Sequence, residues 1–91
     1  MRFYRAKYLD DKYHKAAPLK AITWHIKSMV TRNRQGDAVA YDGKFTSTES
    51  VKAGSIVIAD DGQSMTAFKV SAPSFGMAGI YSYYLKEEAQ I

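Results

Sequence analysis

The segment Pro18–Arg32, PLKAITWHIKSMVTR, constrains the fold most, because it carries the longest readable apolar period and the chain's one tryptophan. Two periods compete in it. At about 100° per residue, Leu19, Ile22, Ile26, Met29 and Val30 fall within one arc of roughly 100°, the width of a stripe that faces a core. At a period of two, Ile22, Trp24 and Ile26 share one face, with Thr23, His25 and Lys27 opposite. The helical template accounts for all five aliphatic and methionine positions; the alternating one breaks at Met29-Val30. Pro18 suits a first helical turn, where its missing N–H costs nothing. Arg32 and Arg34 lie where cations meet the end of a helix dipole, and Gly36 suits a stop, although Ala17 is a poor N-cap. The segment is read as a helix, with a strand as the alternative. The choice decides the surroundings of Trp24: a helix turns it outward between Lys20 and Lys27, and a strand buries it.

The rest of the chain reads as β. Arg2–Leu9 has strand composition and ends at Asp10-Asp11. Residues 13–17 are a helical turn or a loop. Ala38–Tyr41 and Lys44–Thr48 flank Asp42-Gly43, a pair that suits a two-residue type I′ hairpin turn. Residues 46–53 are a short helical turn or a polar loop. Residues 55–70 give the clearest signal, a buried-strand run (SIVIA), turn residues 60–63 and an alternating strand (SMTAFKV). Residues 71–79 form a flexible connection, 80–85 a last strand and 86–91 a frayed tail. The expected fold is a single α+β domain over residues 1–91, one amphipathic helix packed on a mostly antiparallel sheet of four to five strands. Its expected core holds Leu19, Ile22, Ile26, Met29, Val30, Ile56, Ile58, Phe68 and Ile80.

The charge is uneven. Residues 1–36 hold nine Lys/Arg and two Asp, a net of +7, and residues 37–91 hold four Lys and seven Asp/Glu, a net of −3. Such asymmetry points to a polyanionic partner. There is no cysteine, so disulfides, thiolate metal sites and cysteine nucleophiles are out of reach. The N-terminus lacks the apolar core of a signal peptide, and no run approaches a membrane span, so a cytoplasmic location is expected. Asp10, Asp11 and His14 carry metal-ligating groups but match no ligand pattern and read as a polar connection. Asp60-Asp61-Gly62 lacks the alternating oxygens of a calcium loop and reads as a turn. Gly76-Met77-Ala78-Gly79 has the form of a backbone-clamping GxxG loop but no basic residue, and reads as a turn. No catalytic constellation, metal or cofactor is expected.

One combination remains. Arg2, Tyr4, Arg5, Lys7, Tyr8, Lys20, Trp24 and Lys27 mix cations with flat rings, the mix that holds single-stranded nucleic acid. The expected function is binding without chemistry, to a nucleic acid or a nucleic-acid-associated complex. The alternative is a protein-binding inhibitor or accessory factor, of the size phages and other mobile elements encode, acting through an aromatic patch.

Overall fold

The computed structural model describes residues 1–75 and 77–91. Its strands are β1 (Arg2–Leu9), β2 (Lys12–Leu19), β3 (Thr23–His25), β4 (Met29–Arg32), β5 (Ala38–Tyr41), β6 (Gly43–Ser47), β7 (Ile56–Asp60), β8 (Met65–Val70), β9 (Ser74–Phe75) and β10 (Tyr81–Gln90). The only helical element among the described residues is a 3-10 turn, Met77–Gly79. The expected helix on a sheet is therefore wrong: the chain is nearly all antiparallel sheet. The main sheet runs β2-β1-β7-β8-β10-β6-β3, β9 adds to β10, and β4-β5 form a separate two-stranded sheet.

The segment read as a helix is split among three strands. Leu19 ends β2, residues 20–22 turn a corner, and β3 and β4 follow. Pro18 sits in β2, opposite Tyr4. β2 is an edge strand, the place where a sheet tolerates proline. Ile22, Thr23, Ile26, Val30 and Thr31 are β-branched and favour extended backbone. β3 takes its hydrogen bonds from β6, some twenty residues away, with Trp24 opposite Phe45. That long-range pairing outweighs the local period. The presumed core stripe dissolves with the helix. Leu19 is buried and Met29 half-buried, but Ile22, Ile26 and Val30 are 42%, 37% and 71% exposed.

Other expectations divide. β1, β7 and β8 form as read, and the β1–β2 turn is built by Asp10 and Asp11, with φ of 53° and 60°, the type I′ pattern. Asp42-Gly43 is no hairpin turn: β5 pairs with β4, and β6 with β10 and β3. Gly43 serves close approach, since a Cβ there would lie 3.0 Å from the His25 carbonyl oxygen. Residues 48–53 form no helical turn, and the tail is not frayed, because residues 86–90 continue β10 against β8. Gly76 of the GxxG stretch lies outside the described residues.

The sheet rolls up. Its edge strands β2 and β3 are consecutive in the chain, so its two edges meet through residues 20–22. That corner is pinned to β6 by Ile22 N–H donating to Thr46 O (2.7 Å) and the Ser47 hydroxyl donating to Lys20 O (2.6 Å). The interior closes on a row of rings. Phe3 stacks on Phe45 at 5.2 Å, and Phe45 on Tyr83 at 5.0 Å, although β1 and β6 are far apart in strand order. Leu19, Val51, Val57, Ala59, Phe68, Val70 and Leu85 pack with them in this core. Tyr83 is fully buried, and its hydroxyl donates to Glu49 O and accepts from Val51 N–H. Of the expected core, Leu19, Ile58 and Phe68 are buried, and Ile56 and Ile80 partly so. Ile58 lies on the outer face, opposite Tyr4, where the far half of the β1–β2 ribbon covers it.

Candidate nucleic-acid interface

The eight residues singled out above separate into two groups. Five are on β1. Arg2 faces Asp60 across the β1–β7 ladder. Tyr4 lies beneath the Lys15 ammonium, 4.5 Å from its ring centre. Arg5 turns inward, donates to Ser50 O at 3.1 Å and pairs with Glu49. Lys7 is exposed opposite His14, and Tyr8 is 57% exposed, edge-on to Tyr13 at 4.9 Å. Tyr4 and Arg5 are thus engaged within the fold, and the β1 residues do not form one continuous surface.

Lys20, Trp24 and Lys27 form the second group. Lys20 is at the corner, where its backbone N–H donates to the Glu49 carboxylate at 2.7 Å while its side chain stays exposed. Trp24 is 44% exposed although it lies on a strand. Its ring shares the inner side with Phe3, 6.1 Å away, but β3 is a three-residue edge strand and covers only part of it. Lys27, in the link to β4, is exposed.

The structure adds residues that sequence reasoning passed over. Arg32 and Arg34, taken for the end of a helix, stand at the tip of the β4–β5 hairpin, both exposed. Ile22, Ile26 and Val30, taken for core, are exposed beside Trp24 in the chain. A signal for this surface was present in the sequence. Residues 12–36 contain six Lys/Arg and no carboxylate, so no internal salt bridge can neutralise them locally.

The acidic side chains are occupied elsewhere. Asp60 accepts from Lys15 Nζ and from Gly62 N–H, and these hydrogen bonds hold its carboxyl below the ordinary value, with Lys15 raised in turn chiefly by the same bond. Asp61 accepts from Ser64 and Gln63 N–H, which lower it likewise. Both carboxylates serve the β7–β8 turn. Asp10 and Asp11 form the β1–β2 turn, and the His14 imidazole bonds to Leu9 O at 3.1 Å rather than turning toward them. Among the described residues no three His, Cys, Asp or Glu side chains gather to hold a metal ion, and no helix is long and apolar enough to cross a membrane.

The surface from Lys20 to Arg34 therefore offers a half-exposed indole, four cations and exposed aliphatic side chains. That arrangement can stack, pair with phosphate or carboxylate, and bury apolar groups; it supplies no nucleophile with an adjacent base. Comparison with known proteins gave no match: no family model, no curated protein and no solved structure resembles this chain.

Proposed function

We propose that this protein binds single-stranded nucleic acid across the β3 edge, with a base stacked on Trp24 and the phosphates held by Lys20 and Lys27. The observation that carries this reading is Trp24, 44% exposed in a stretch that has cations and no carboxylate. Base–aromatic stacking contributes about 1–3 kcal/mol and tolerates any base. The cations supply the salt-dependent part by releasing counterions from the phosphates. A single strand suits the site better than a duplex, because a stacked base must be free of its partner.

The test is a titration with labelled oligodeoxythymidine at low and high salt, read by anisotropy and by Trp24 emission. The reading predicts quenched emission, affinity that falls with salt, and weaker binding by Trp24→Ala and by Lys20→Ala/Lys27→Ala. Wild-type protein that binds neither oligodeoxythymidine nor a mixed-sequence strand at low salt contradicts it.

A second reading rests on Ile22, Ile26 and Val30, whose aliphatic surfaces suit a protein partner better than a nucleotide. Under it the protein is an inhibitor or accessory factor that docks through the same edge. Partners captured from a lysate would then survive nuclease treatment and be lost with Ile22→Ser/Ile26→Ser.

A further inference from the structure

The β4–β5 hairpin has no hydrogen-bonded partner strand in the main sheet, yet it is held in place. Its residues alternate without exception. Met29, Thr31, Val39 and Tyr41 are half-buried, and Val30, Arg32, Ala38 and Ala40 are exposed. An isolated two-stranded hairpin is marginal in water, so the half-buried face matters; Tyr41 stacks on Tyr84 at 4.8 Å and anchors it. The tip is preformed as well. The Asn33 side-chain oxygen accepts from Gln35 and Asp37 N–H at 3.0 and 2.9 Å, and Gly36 takes φ +84°, which favours glycine. Arg32 Nη1 donates to Gly36 O at 2.7 Å, which fixes one guanidinium over the turn. Arg34 is exposed and makes no hydrogen bond or ion pair among the described residues.

The outward face is unusual for a solvent-facing ribbon. It carries Val30, two alanines and one arginine, and its tip adds a second arginine beside the carboxylate of Asp37. Small side chains let an extended ligand lie close to the hairpin backbone, and a guanidinium matches phosphate oxygens bidentately. Between residues 12 and 41 the one carboxylate is Asp37. Val30 is six steps along the chain from Trp24, so their Cα atoms lie within about 22 Å at full extension.

We infer that the β4–β5 hairpin is the phosphate-holding arm of the same site, with Arg32 and Arg34 gripping the backbone of the strand whose base stacks on Trp24. The inference rests on the nucleic-acid reading above and extends it from a single stacking platform to a path across β3 and the hairpin. Binding then has a length requirement. A short oligonucleotide reaches Trp24 alone, and a longer one also engages the arm.

The experiment compares oligodeoxythymidine of about three and about sixteen nucleotides, below and at the upper end of the usual 4–16 per small barrel. Wild type, Arg32→Ala/Arg34→Ala and Arg34→Glu are titrated between about 50 and 200 mM salt. The expected result has two parts. For the long strand, the double variant flattens the slope of log affinity against log salt by about 1.4, or about 0.7 per lost phosphate contact on a single strand. For the short strand, its affinity and Trp24 quenching match wild type. Arg34→Glu, which breaks no bond of the fold, should also weaken long-strand binding. If both variants match wild type on the long strand while wild type still quenches Trp24, the arm is not in the path and the inference fails alone. If wild type binds neither strand, the nucleic-acid reading fails and takes the inference with it.

Discussion

The β7–β8 hairpin and the segment from Ile22 to Val30 are both apolar, and the fold treats them oppositely. In β7–β8, Val57, Ile58, Ala67 and Phe68 are each at most 2% exposed. One face packs on the ring row and the other lies beneath the β1–β2 ribbon. In the second segment, Ile22, Trp24, Ile26 and Val30 are all more than a third exposed. These four account for half of the large apolar side chains that the described structure leaves exposed. Apolar residues scattered singly on a surface need no explanation, but a run of them in one exposed edge and the start of one hairpin does. The difference teaches that hydrophobicity in this chain has two destinations, its own core and one exposed edge.

Variants can break this comparison, and the core should give the largest effects. Phe45→Ala removes the middle ring of the stack and should destabilise by about 3–5 kcal/mol, and Ile58→Ala by about 2–5 kcal/mol. Urea unfolding of these beside Ile22→Ala and Val30→Ala is the sharpest form of the test. The latter two should shift stability by about 0.5 kcal/mol or less, as surface changes do. Similar losses in both sets would show one shared core and end the distinction.

Next in size are two changes at the boundary between the regions. Tyr83→Phe leaves Val51 N–H and Glu49 O without their hydroxyl partner and should cost about 1–3 kcal/mol. Gly43→Ala drives a methyl to 3.0 Å from the His25 carbonyl oxygen and 3.1 Å from Ile26 Cδ1. It should cost about 1–3 kcal/mol by overpacking and loosen β3 from β6. Amide exchange should show the second effect as faster exchange at Thr23 and His25, with β7 and β8 unchanged at equal stability.

The two regions also differ in how legible they were. β7 and β8 are neighbours in sequence, their alternation is regular, and Asp61 and Gly62 mark the turn between them. Everything that fixes that hairpin lies within about fifteen residues, so a local reading finds it. β3 owes its existence to Phe45 and Thr46, and the corner before it to Ser47 and Glu49. None of these is visible from Pro18–Arg32 alone. The spacing of Leu19, Ile22, Ile26, Met29 and Val30 fits a helix by coincidence, because most of those side chains answer to different elements or to none. At the candidate site, the chemistry of Lys20, Trp24 and Lys27 is legible in the sequence. Arg32 and Arg34 read there as a helix end, and the β1 residues Tyr4 and Arg5 read as one group with Lys20, Trp24 and Lys27, because their packing against Lys15 and Glu49 cannot be read from composition.

The smallest effect expected concerns pH. The hydrogen bond from Lys15, with one from Gly62 N–H, lowers the carboxyl of Asp60 from its ordinary 3.8, and backbone N–H groups of Ser64 and Gln63 lower that of Asp61. A lowered carboxyl contributes stability that is full above the unfolded value and lost as pH falls through the folded one. The Tm gap between wild type and Asp61→Ala should therefore be constant near neutrality and close below about 3.8. Lys15, raised from 10.5, acts oppositely, its contribution being lost only as pH rises through the raised value. All three groups are near the surface, where solvent screens them, so the shifts in Tm should be small.

The central claim is that the apolar run around Trp24 is left partly uncovered by the fold, open to a partner, and the single tryptophan reports on it without labelling. Emission of the monomeric protein should be red-shifted relative to a buried indole. Iodide should quench it more readily than caesium, because Lys20 and Lys27 attract the anion and repel the cation. A blue-shifted emission that resists both quenchers in the monomer would place Trp24 in the core and contradict the account.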